Sequence, residues 1–228
     1  MTLLAEYAIT PDVFDCTSYS SEEVCGLRLE IIKEALLQEG VVRNLRNGNW
    51  ARLYGDAQRP WHPRSKELLK KLAVQNRLVI HSAVLPDEPT TDSGWCDEAL
   101  ASHGTTPLNG VIVTDCIAEA YRTNTIVSPI HRLTSAPWWQ RRSPSIRLRR
   151  TIIDYKDNLY QVLKHSNSIM FIDPHVDPSK PRYRSLSELV KEAGHRTPVP
   201  KIEVHRVCST GSGPSCRILN TTQRCPVK

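Results

Sequence analysis

Two short apolar runs, "GVIVTD" at residues 110–115 and "SIMFID" at 168–173, constrain the fold more than anything else in the chain. Each reads as a strand closed by an aspartate, too short for a helix of its own. A helical pattern lies between them, with Ile152, Tyr155, Leu159, Val162 and Leu163 on one face and an end near His165. After the second run comes a short helix with Ser185 as N-cap, Glu188 three residues on and Gly194 at its end, followed by the strand "PKIEVHRVC". From Gly110 to Cys208 the order is strand, basic loop, helix, strand, loop, helix, strand. That order predicts an α/β fold with a mostly parallel sheet and right-handed crossovers. Ligands collect at the carboxyl ends of strands in such sheets, where Asp115 and Asp173 are both expected.

The N-terminal part reads differently. Ser20 and Glu23 fit a capping box, and Val24, Leu27, Ile31 and Ala35 recur at helical spacing beside Leu29, Ile32 and Leu36 until Gly40 stops the pattern. "VVRNLRNGNWARLY" carries Asn47-Gly48 between short arms, the signal of a tight hairpin. A second helical pattern covers residues 65–76, with Leu68, Leu69, Leu72 and Ala73 inward, and "RLVIHSAV" follows as a strand. Residues 1–85 are therefore expected to form a mainly helical α+β region, with the parts of a winged-helix module in another order. The polar, proline-bearing "PDEPTTDS" predicts a linker at 86–94. The helix "WCDEALASHG" then opens an α/β domain over 95–207, and residues 208–228 read as an irregular tail. Within that tail "STGSGPS" has the glycines and serines of a phosphate cradle but no lysine, which makes it a flexible loop.

Asp173, His175 and Asp177 stand together where the second run surfaces, flanked by Pro174 and Pro178. A carboxylate beside an imidazole suits general-base work or a share of a divalent-metal site, and Asp115 would join them from the neighbouring strand end. The competing reading is a turn, since Asp-Pro also ends strands. The basic stretch "SPIHRLTSAPWWQRRSPSIRLRR" offers different chemistry. Trp138 and Trp139 are placed to stack on bases, and Arg141, Arg142, Arg147, Arg149 and Arg150 to meet phosphates. Lys66, Lys70 and Lys71, with Arg43, Arg46 and Arg52 around the hairpin, would add a second basic face, although charge runs are usually solvated surface. Phosphate-loop, dinucleotide and nucleophile-elbow motifs are absent, so no cofactor is assigned. Seven cysteines without a C-x-x-C pair read as free thiols, and no metal site is assigned. A net charge of +6 points to a polyanionic partner, nucleic acid foremost. With no basic leader and no run of membrane-spanning length, a soluble cytoplasmic protein is expected.

The succession "RRTIIDYKDNLYQVLKHS", "SIMFIDPHVDP", "YRSLSELVKEA", "KIEVHRV" resembles the first half of a phospholipase D-like α/β domain. It is most similar to degenerate, non-catalytic members, such as the membrane-associated domain that follows MIT domains and bacterial relatives from phage-defence loci. The resemblance covers about residues 147–207. Active members use His-x-Lys, and none of the eight histidines here is followed two places later by lysine. The resemblance therefore implies no phosphohistidine chemistry, and it implies that a partner or second copy completes the sheet. The expectation from sequence is a non-catalytic subunit that binds nucleic acid or phosphate within a larger bacterial assembly of the anti-phage or mobile-element kind. A phosphodiesterase or nuclease using the Asp173 loop, and a protein-interaction scaffold, are the alternatives.

Overall fold

A computed structural model of the chain describes residues 3–56, 59–143, 145–149, 151–173, 175, 177, 180–194, 199–210 and 217–224, with side chains described for all of these except 182, 206–210 and 217–224. It divides into two units, Met1–Ile146 and Arg147–Lys228.

Five short strands build the first unit: β1 (Ala5–Ile9), β2 (Gly40–Asn44), β3 (Leu78–Ile80), β4 (Gly110–Val113) and β5 (Val127–Pro129). They pair in the order β3-β2-β1-β4-β5, and every pairing is parallel. The α/β class expected from sequence is the class observed. The helices are α1 (Glu22–Glu39), α2 (Asn49–Arg52), α3 (Pro63–Val74), α4 (Asp92–Thr105), α5 (Asp115–Ala120) and α6 (Pro137–Gln140). Ser21, one residue later than the expected cap, accepts the Val24 N–H at 3.3 Å and starts α1, which buries Cys25, Leu29, Ile32 and Leu36. Thr91 caps α4 by accepting the Gly94 N–H at 3.1 Å. From β1 the chain winds outward through β2 and β3, then returns to the far side of β1 for β4 and β5. The winding direction reverses between β1 and β4, which is where open parallel sheets form a ligand crevice.

The three central strands are buried along their whole length, yet two of them carry charge. Arg43 of β2 donates from Nε to Glu6 Oε1 of β1 at 2.8 Å, from Nη1 to Ser102 Oγ at 2.9 Å and from Nη2 to the Thr106 carbonyl at 2.7 Å. His81 Nε2 reaches the same Glu6 oxygen at 2.8 Å. A buried ion pair is tolerated when its remaining donors and acceptors are also filled, as they are here.

Several expectations are corrected in this unit. Asn47-Gly48 forms no hairpin, because β2 pairs in parallel with β1 and β3 and the turn leads into α2. Arg46, Asn47 and Gly48 do adopt the left-handed backbone such a turn uses, with φ of 53°, 57° and 94°. The winged-helix arrangement is therefore absent. Residues 86–94 do not separate domains, since β4 pairs with β1 and sews 95–146 to the N-terminal region. Glu98 pins the preceding stretch from inside by accepting the N–H groups of Val84 at 2.8 Å and Leu85 at 3.1 Å and Arg46 Nη1 at 3.0 Å. The basic face expected around Arg43 and Arg46 is likewise interior, while Arg52, Lys66, Lys70 and Lys71 are exposed.

The second unit contains α7 (Ile152–His165), β6 (Ser168–Ile172), α8 (Arg184–Gly194), β7 (Lys201–Thr210) and β8 (Arg217–Arg224). β6 and β7 pair in parallel, and β8 pairs antiparallel to β7. Thr151 caps α7 through the Asp154 N–H, whereas Ser185 lies inside α8 and is not its cap. The single sheet expected over 110–208 is split, since β4 belongs to the first unit. β6 is half-exposed, with Ser168, Met170 and Ile172 outward. The segment taken as an irregular tail supplies β8, so the chain itself provides a third strand, and among the described residues β6 has no neighbour on its other side. The buried centre is small, formed by Leu163, Leu189, Ala193 and Ile202. Among the described residues no helix is long and apolar enough to cross a membrane.

Candidate functional site

β1 runs out at Ile9 and delivers Thr10 and Asp12 to the crevice, while β4 runs out at Val113 and delivers Thr114 and Asp115. Because α4 precedes β4 and runs back against it, its first turn brings Asp92 to the same edge of the sheet. Asp12 is only 4% exposed. Its Oδ2 accepts the Thr114 N–H at 3.1 Å and the Thr114 hydroxyl, while Thr10 Oγ1 donates to the Ile112 carbonyl at 3.3 Å. Asp12 Oδ1 is buried without a hydrogen-bond partner, and among the described residues it is the one carboxylate oxygen in that condition. Burial pushes the Asp12 carboxyl above the usual carboxylate range. The hydroxyl and N–H of Thr114 pull it back, and the charge of Asp92 adds to the rise.

Asp115 is exposed at the head of α5, and its Oδ1 meets Nδ1 of His131, which follows β5. Arg132 Nε donates to His131 Nε2 at 2.9 Å. Arg59 Nη1 pairs with Asp92 Oδ1 at 3.0 Å. Tyr54, whose buried hydroxyl also lacks a partner, lies within electrostatic reach of Asp12 and Asp92, and Tyr19 within reach of Asp12 and Asp115. Among the described residues no three His, Cys, Asp or Glu side chains are placed to hold a metal ion between them. A cation at this edge would take part of its coordination from water and from a ligand's own oxygens.

Of the candidate catalytic residues named from sequence, Asp115 alone lies at this edge. Asp173, His175 and Asp177 belong to the other unit and the other sheet, so Asp115 and Asp173 do not close strands of one sheet as expected. Asp173 Oδ1 accepts the His175 N–H at 2.8 Å, its own N–H donates to the His205 carbonyl at 3.1 Å, and Asp177 pairs with Lys180 at 3.5 Å. These are the bonds of an Asx turn ending a strand.

The tryptophans do not offer faces to bases. Trp138 and Trp139 are 7% and 5% exposed, with ring centroids 5.7 Å and 5.4 Å from that of Tyr7. Trp138 lies on Gly110, where any Cβ would collide with the indole. The guanidinium of Arg142 stacks 3.7 Å from the Trp139 ring centroid, and its Nη1 lies 3.6 Å from Glu39, just before β2. Arg142 therefore sits at the amino-terminal edge of the sheet, opposite the crevice, and half-buried. Arg141, Arg147 and Arg149 are exposed; Arg150 lies outside the described residues.

Asp12, Asp92 and His131 escaped the sequence reading. The signal that could have found Asp12 is "AEYAITPD", a short run closing on an acid as the runs ending at Asp115 and Asp173 do. Comparison with protein families, with curated proteins and with solved structures found no match.

Proposed function

We propose that the chain is a nucleic-acid-directed phosphodiesterase working at the carboxyl edge of its five-stranded sheet. The observation that carries this reading is Asp12, a buried carboxylate at the β1/β4 crevice with one oxygen unsatisfied. An unsatisfied buried carboxylate is costly, and such groups gather where a ligand completes them. Exposed Asp115 stands one residue beyond Thr114, whose N–H and hydroxyl hold Asp12. Two carboxylates plus phosphate oxygens and water make up the coordination a hydrated Mg²⁺ ordinarily takes. The positive net charge favours a polyanionic substrate, because a cluster of aspartates would repel phosphate without a cation between them.

Incubation of the full chain with single- and double-stranded DNA and RNA, with Mg²⁺ or Mn²⁺ and with chelator, tests the reading. Cleavage that needs the metal and falls about 100-fold or more in Asp12→Asn and Asp115→Asn supports it. Absence of cleavage on all four substrates removes it. A second reading, binding without cleavage, is favoured by the outward placement of Arg141, Arg147 and Arg149. It predicts salt-sensitive binding that survives both aspartate substitutions and weakens when those arginines are reversed to glutamate.

A further inference from the structure

The second unit holds a cavity of about 910 Å³ between α7, α8 and the β6–β7 strands. Its lining combines three aromatic rings, Tyr155, Phe171 and Tyr183, with Leu189 and with the Asp173 and His175 of the strand-ending turn. The chain has 30 lysines and arginines, yet among the described residues none lines this space. Its one carboxylate among the described residues, Asp173, has Oδ1 occupied by the His175 N–H, which leaves Oδ2 for a ligand. Aromatic faces and a carboxylate both attract positive charge, and the leucines beside them give an apolar body somewhere to lie. The volume falls within the range of clefts that take small organic molecules, roughly 300–1,000 Å³.

The geometry points to a binding site for a small organic cation with an apolar body, its ammonium group against Asp173 and the aromatic rings. Among the described residues no lining cation is present to compensate an anionic or phosphate-bearing ligand, which disfavours such ligands here. This site is built by the second unit and the proposed phosphodiesterase edge by the first, so neither reading depends on the other.

Calorimetric titration of the full chain with 4-phenylbutylammonium and with 4-phenylbutan-1-ol separates charge from shape, because the two probes share an apolar body. The amine is expected to bind about tenfold more tightly than the alcohol. In Asp173→Asn that preference should vanish while alcohol binding persists, with circular dichroism reporting whether the fold is intact. Should that variant not fold, the wild-type comparison decides alone. Equal affinities for the two probes, binding of neither at millimolar concentration, or a folded Asp173→Asn that keeps the preference would each overturn the assignment. A loss of nuclease activity without change in this titration would bear only on the other unit.

Discussion

Glu6 and Asp12 lie six residues apart, one inside β1 and one just beyond its end, and both are buried. Burial alone would raise the pKa of each. At Glu6 the hydrogen bonds from His81 and Arg43, with the charge of Arg43, more than reverse that effect and bring the carboxyl from its ordinary 4.5 to about 2. At Asp12 the surrounding hydroxyls are too weak to do so, and the carboxyl stays high. The pair separates two uses of an interior acid. One is closed by its own protein and holds neighbouring strands in register; the other is left incomplete at an edge where something else can arrive.

The largest test of this contrast is Arg43→Met, which strands Glu6 without its main partner. Denaturant unfolding should report a loss of about 3–5 kcal/mol; a change below 1 kcal/mol would mean that His81 suffices and that the two acids differ less than their surroundings suggest. Acid titration comes next. Because the folded pKa of Glu6 is depressed, its contribution is present above pH 4.5 and is lost as pH falls towards 2. Asp12 has the opposite sign, its folded pKa being raised, so protonation relieves it and the fold gains as pH falls through that value. Unfolding measured from pH 7 to pH 2 in Glu6→Gln should lose the steep acid limb and leave the Asp12 gain visible. A smaller effect is expected from Asp12→Asn, a stabilisation of about 1 kcal/mol at neutral pH, the reverse of the Arg43→Met outcome. The smallest is Arg141→Glu, which should move stability by less than about 0.5 kcal/mol while lowering the salt dependence of DNA binding by about one phosphate contact.

This contrast also explains how much could be read from the sequence. Four helices were legible: α1, α3, α4 and α7 fall within a few residues of their expected positions. So were β4 and β6, whose runs hold no charge. β1 was not, because "AEYAI" places Glu6 within a strand buried on both faces, and β2, whose "GVVRN" holds Arg43, was taken for a hairpin arm because Asn47-Gly48 follows it. Each charge is neutralised by a residue 37 positions away, which no local pattern reveals. Missing those two strands hid the strand order, and with it the crevice and Asp12. Asp115 was found because its own strand was. The two tryptophans of the basic stretch were misjudged for a related reason. Nothing local shows that Tyr7 and Gly110 provide a seat for the indoles, and a proline-rich segment without regular structure reads as outside until its anchors are known.

The seat of Trp138 on Gly110 ties the start of β4 to the segment that follows β5. Positions 110 and 138 therefore cannot drift independently. A methyl group at 110 would first require a smaller residue at 138, and in any lineage descended from this chain the two substitutions should be inherited together, with the indole lost before the glycine.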